Sequence, residues 1–95
     1  MIRSFADKDT AALANGERVR RWINIESVAR RKLAQLHAAV MLDFMRVPPG
    51  NRLVEALKGD RNGNGQHSIH INDPFRVCFV WKDGDAYGVE ITDYH

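Results

Sequence analysis

The sequence closes on three consecutive residues that can each handle a proton: Asp93, Tyr94 and His95. Two cations elsewhere in the chain, Lys58 and Arg76, can hold an anion. Arginine presents a planar fork that matches phosphate oxygens, and lysine presents a point charge. Other chemistries find no matching set. There is no CxxC, no HExxH and no metal-ligand spacing, and His67 and His70 fall on opposite faces of a regular strand. There is no P-loop and no G-x-G-x-x-G, and Gly63-Asn64-Gly65 is too short to replace one. Cys78 sits inside an apolar run without an activating neighbour. Arg, Lys, Asp, Tyr and His together suit cleavage of RNA by the substrate's own 2′-hydroxyl. That reaction needs a base for the 2′-OH, an acid for the 5′-oxygen and cations for the charge that develops on the phosphorus oxygens. His95, Asp93 and Tyr94 would move protons, and Arg76 and Lys58 would hold the phosphate.

These residues need elements to place them. Phe75 to Trp81 is β-branched and aromatic, and Lys82-Asp83-Gly84-Asp85 carries a hairpin signal, because Asp and Gly tolerate positive φ. Ala86 to Thr92 is the return strand. Alternation puts Phe75, Val77, Phe79 and Trp81 on one face and Arg76, Cys78 and Val80 on the other. It likewise groups Tyr87, Val89 and Ile91. The tail after Thr92 is either a frayed end or a functional terminus. Its direct continuation from a strand that should be buried favours the second.

His67 to Asn72 reads as a further strand, with Ile69 and Ile71 on one face and Ser68 and His70 on the other, followed by a turn at Asn72-Asp73-Pro74. Met1 to Phe5 reads as a short strand. Asp7 or Asp9 caps a first helix that Asn15-Gly16 ends, and residues 17–23 form a basic connector. The main helix is expected from about Ile25 to Phe44, capped by Asn24, with Ile25, Ala29, Leu33, Leu36 and Val40 on one face. Arg30, Arg31, Lys32 and Gln35 lie largely off that stripe. Trp22 is expected to pack at the helix junction and His37 to sit on the surface. Val47-Pro48-Pro49-Gly50 stops the helix. A long loop to about Gln66 carries Arg52, Lys58 and Arg61, and loops of that length in small domains are often functional. The order is β-α-α-β-β-β, an α+β domain with an antiparallel sheet and helices on one side.

The totals fit this frame. Ninety-five residues, 44% apolar and 27% charged, make one small globular domain. A lone cysteine excludes an intrachain disulfide and points to a reducing, cytoplasmic setting. No stretch is long and apolar enough for a membrane span, and the N-terminus lacks the apolar core of a signal peptide. The net charge of +2 conceals an asymmetry: residues 1–66 carry 12 Lys and Arg against 7 Asp and Glu, and residues 67–95 carry 2 against 5. A basic helical half, with Arg30, Arg31 and Lys32 prominent, is either a polyanion-binding surface or a solvated helix face.

Several segments together match a family. Met1-Ile2-Arg3-Ser4-Phe5, Pro48-Pro49-Gly50-Asn51-Arg52-Leu53, Leu57-Lys58-Gly59-Asp60-Arg61, Phe75-Arg76-Val77-Cys78-Phe79 and Asp93-Tyr94-His95 resemble the HigB-type toxins of the RelE superfamily over essentially the whole chain. The resemblance implies a compact RelE-like fold and a bacterial toxin that cleaves mRNA, typically on the translating 70S ribosome, without metal or cofactor. It also implies a helix-turn-helix antitoxin of the HigA type, through which alone the toxin would reach operator DNA. Matched by motif, the catalytic candidates are Lys58, Arg76, Asp93, Tyr94 and His95; the basic residues Arg52, Arg61, Arg30, Arg31 and Lys32 are the candidate RNA contacts. One position departs. Some members carry a histidine three residues before the motif lysine. Here Glu55 stands there, and either serves as the base or leaves the activity weakened. Two other classes remain open on the residues alone: a non-catalytic RNA- or ribosome-binding module, and a co-repressor acting with its antitoxin.

Overall fold

A computed structural model describes residues 1–45, 51, 53–55, 66–72 and 74–93, with Asp43, Val54 and Glu55 described by their backbone alone. Helix α1 spans Lys8–Ala14 and helix α2 Glu26–Ala38. Four strands follow: β1 (Val54–Glu55), β2 (Gln66–Asn72), β3 (Phe75–Lys82) and β4 (Asp85–Asp93). They form one sheet in the order β1-β2-β3-β4, each pair antiparallel. Both helices pack on one face of it.

Local chemistry explains most of these boundaries. The Asp7 carboxylate accepts from the Thr10 N–H at 3.3 Å, which caps α1, and Gly16 takes φ +94° just beyond its end. At the β3–β4 hairpin Asp83 has φ 52° and Gly84 φ 81°, the paired positive values of a two-residue turn that follows the strands' twist. The Phe75 N–H donates to the Asn72 side chain at 3.2 Å and so closes the β2–β3 turn.

The core lies between the helix stripe and the inner sheet face. Leu13, Ala29, Leu33 and Leu36 meet Ile69, Ile71, Val77, Phe79, Val89 and Ile91, all buried. Phe79 stacks on His67 at 5.7 Å and meets the edge of Trp81 at 6.4 Å. Trp22 is buried at the helix junction as expected, with the Arg21 guanidinium 4.3 Å from its ring centroid. One polar staple crosses this layer: the Ile91 N–H donates to the Thr10 hydroxyl at 3.1 Å, tying α1 to β4.

Four expectations need correction. First, α2 stops at Ala38, because Ala39 turns extended (ψ 131°) and the chain swings into a separate 3-10 turn at Leu42–Met45. Val40 therefore leaves the core stripe and is 67% exposed. Second, Asn24 does not cap α2. The capping position falls on Ile25, and turn bonds from Ile23 to Arg20 and from Ile25 to Trp22 carry the chain into the helix. Third, β4 does not alternate throughout. Cys78 pairs with Glu90 but Val80 with Tyr87, so Phe79 faces both Gly88 and Val89 in a bulge at Gly88, φ +59°. Ala86 and Val89 are consequently both buried in the core, and Tyr87, opposite Val80, lies on the other face. Fourth, residues 1–6 do not form a strand of the sheet but run parallel to β4, outside its antiparallel ladder. Bridges join Ile2 to Ala86 and Phe5 to Val89.

That N-terminal segment is also held electrostatically. Asp85 meets the Arg3 Nε at 3.1 Å and the Met1 amine at 3.3 Å. The hydrogen bond from Arg3 above all, with one from the amine, holds the Asp85 carboxyl below its ordinary value. A carboxylate with a depressed folded value stabilises fully above its unfolded value and loses that contribution as pH falls through the folded one. Asp85→Asn is therefore expected to melt lower than wild type at neutral pH, with the gap closing in acid. Parallel thermal melts between pH 2 and pH 7 check this, and a gap independent of pH would contradict it.

Candidate active site

The sheet face away from the helices carries the polar residues. Across β2, β3 and β4 the register aligns Ser68, Cys78 and Glu90 in one row and His70, Arg76 and Thr92 in the next. Paired residues in an antiparallel sheet share a face, so these six stand together. Arg76 is half-buried there, and its Nη1 donates to the Ser68 hydroxyl at 3.2 Å. Ser68 is only 7% exposed, so a buried acceptor on the neighbouring strand directs the guanidinium. Beside it the Cys78 thiol lies 3.3 Å from the Thr92 hydroxyl. Such a platform can hold an anion by a cation whose direction is fixed before the anion arrives.

Asp93 stands at the same end of the sheet but on the other side. It pairs with Phe75 and lines a cavity of about 230 Å³ with Arg21, Trp22, Phe75 and Ile91. Arg76 and Asp93 thus flank the end of β4 from opposite faces. The backbone of Glu55 lies opposite His67, in a strand β1 that has no counterpart in the sequence pattern. Lys58, Arg52, Arg61, Tyr94 and His95 lie outside the described residues. A groove of about 540 Å³ runs between α1, α2 and the N-terminal segment, away from Arg76 on the helix side of the sheet.

The three basic residues of α2 separate into three environments. Arg30 is a structural clamp. Its Nε donates to the Leu13 carbonyl at 3.2 Å, its Nη2 to the Glu17 carbonyl at 2.7 Å, and its Nη1 meets Glu26 at 2.9 Å. It thereby satisfies a carbonyl in the last turn of α1 and binds the two helices together. Lys32, expected off the apolar stripe, is only 5% exposed, and its Nζ donates to the buried Asn51 side chain. Burial, with Arg31 next to it, lowers its pKa from the usual lysine value. Arg31 alone is fully on the surface, and no ion pair holds it among the described residues. The spacing itself could have revealed Lys32, since 29, 32, 33 and 36 fall on one helical face. Ser68 carried a weaker signal: its place on the Arg76 face was legible, its contact with Arg76 was not.

Among the described residues no three His, Cys, Asp or Glu side chains gather as a metal site, and no helix is long and apolar enough to cross a membrane. Two helices on one face of a small sheet, with a fixed arginine on the other, form a RelE-like α+β toxin domain. The family described as "RelE-like toxin of type II toxin-antitoxin system HigB" matches residues 3–95. Toxin HigB-1 of Vibrio cholerae serotype O1 (strain ATCC 39315 / El Tor Inaba N16961) is 39% identical over 88 residues, covering 90% of each chain. The chain belongs to the HigB-like toxin family of type II toxin–antitoxin systems, and membership implies a cognate antitoxin.

Proposed function

We propose that this toxin is a metal-independent endoribonuclease that cleaves mRNA on the translating ribosome in the bacterial cytoplasm. A helix-turn-helix antitoxin of the HigA type neutralises it, and through that partner it reaches operator DNA. One observation carries the reading: Arg76 is set on the sheet face away from the helices with its guanidinium directed by Ser68, beside the end of the strand that leads into Asp93, Tyr94 and His95.

The chemistry follows from the groups available. A base removes the 2′-OH proton, the 2′-oxygen attacks phosphorus, and the bond to the 5′-oxygen breaks with a proton supplied to the leaving oxygen. The products are a 2′,3′-cyclic phosphate and a 5′-hydroxyl. His95 and Tyr94 move these protons, Glu55 is a second candidate base, and Asp93 orders the end of the strand. Arg76 and Lys58 neutralise the charge on the phosphorus oxygens. Arg52 and Arg61 are placed by sequence beside Lys58 as further contacts to the RNA backbone.

The test is induction in a bacterium followed by mapping of mRNA 5′ ends. New 5′-hydroxyl ends inside coding sequences, with growth arrest, are expected. Arrest with intact mRNA would replace the enzyme by a binding module.

On α2, Arg31 is the exposed residue available to RNA. Arg31→Gln is expected to lower the log–log salt slope of RNA or ribosome binding by about 0.7 to 0.9, the worth of one phosphate contact. An unchanged slope would return Arg31 to a solvated helix face.

A further inference from the structure

The least expected placement among the described residues is that of Lys32, a lysine only 5% exposed. Its acceptor, Asn51, is fully buried and uses every polar atom of its side chain. The Oδ1 accepts from Lys32, and the Nδ2 donates to the Met45 carbonyl at 3.0 Å. The Asn51 main-chain carbonyl also accepts from the His70 N–H at 2.6 Å. One residue therefore joins α2, the 3-10 turn, the entry to β1 and the strand beside Arg76.

We propose that the Lys32–Asn51 pair is a register pin that sets the edge strand β1 opposite Ser68, the residue that directs Arg76. This rests on the ribonuclease reading above. β1 contributes only two residues to the ladder, Val54 opposite Ser68 and Glu55 opposite His67. Two pairs on an edge fix register poorly, and a slip of one residue exchanges the faces of every side chain. The bond from His70 to Asn51 extends the pairing towards the row that contains Arg76, since His70 pairs with Arg76 directly. Asn51 is flanked by Gly50 and Arg52, neither of which offers a side-chain acceptor. A slipped strand would leave the buried ammonium without its oxygen, so the alternative register is penalised. A buried polar pair of this kind contributes more to selecting one arrangement than to net stability. The lowered pKa of Lys32 agrees with a cation placed where an apolar residue of similar length would be easier to bury.

Lys32→Met keeps the stem and removes the pin. The variant is expected to fold but to melt somewhat below the wild-type temperature, because the buried Asn51 Oδ1 loses its donor. Its single-turnover cleavage of mRNA on programmed ribosomes is expected to fall about 10- to 100-fold at saturation, the usual effect of a small misplacement, with half-saturation unchanged. Amide exchange at His70, Val54 and Glu55 is expected to accelerate. Lys32→Gln, which keeps an N–H donor, should recover part of the rate, and it carries the test if the Met variant does not fold. Asn51→Ala added to Lys32→Met should change the rate little further, because both remove the same contact. A folded Lys32→Met with wild-type rate and wild-type exchange overturns the pin. Accelerated exchange with the rate unchanged also overturns it, since β1 would then be loosened without consequence for the site. If wild type itself cleaves no RNA, the ribonuclease reading fails, and the exchange experiment alone decides whether the pin sets the register.

Discussion

Arg76→Ala is expected to lower mRNA cleavage by about 10² to 10³ while the protein melts like wild type, the usual cost of removing one preorganised donor to a developing oxyanion. The large effect follows from placement. Arg76 projects from a strand whose inner neighbours Val77 and Phe79 are fully buried, so the strand is held in place without it. The guanidinium does not have to be ordered when the phosphate arrives, because Ser68 already takes one of its N–H groups. Lysine is a poor substitute, since a point charge on a flexible stem cannot use the same fork. Arg76→Lys should therefore recover only part of the rate. Single-turnover cleavage with thermal melting as control decides the matter. A well-folded Arg76→Ala enzyme with wild-type activity would remove this residue from the site.

A loss of about 10² to 10⁴ in cleavage is expected for His95→Ala, the range usual for a general acid or base. An imidazole has an unperturbed pKa of about 6.5, so it exchanges protons near neutrality better than the neighbouring carboxylate or phenol. Strand β4 holds the chain firmly as far as Asp93. It is paired to β3 as far as Asp93, and Ile91 is anchored by Thr10 of α1. His95→Ala leaves the described core residues unchanged, so its melting temperature should follow wild type. The readouts are 5′-end mapping after induction and the pH–rate profile of the purified protein, which should lose the limb that His95 supplies. Wild-type cleavage with an unchanged profile would assign proton transfer elsewhere.

Much of this architecture could be read from residues because local rules set it. Asp83-Gly84 made a turn that needs two positive φ values, and those are the residues that supply them cheaply. Asp7 and Gly16 bounded α1 for equally local reasons. The alternation in β2 and β3 correctly separated Ile69, Val77 and Phe79 from Ser68, His70 and Arg76. Features set by distant parts of the chain were not legible. The bulge that turns Tyr87 outward is bound up with the N-terminal segment, whose Ser4 hydroxyl accepts from the Gly88 N–H at 2.8 Å. β1 is too short to show a period. Lys32 was read by its charge, whereas its helical phase places it inside. In the site, the residue types marked Arg76 as a candidate for holding an anion but did not show the hydroxyl that directs it.

The strap formed by residues 1–6 has a consequence for how the molecule comes into being. Its backbone partners are Ala86 and Val89, more than eighty residues away in sequence. A fold that joins its first residues to its last strand must pay a large loop-closure entropy before those contacts reward it, and such folds form slowly. A nascent chain that ends before Asp85 has no β4. It therefore lacks the partner for the strap, the anchor for Thr10 and one wall of the platform around Arg76. The strap and the face around Arg76 thus cannot be completed until β4 has been made.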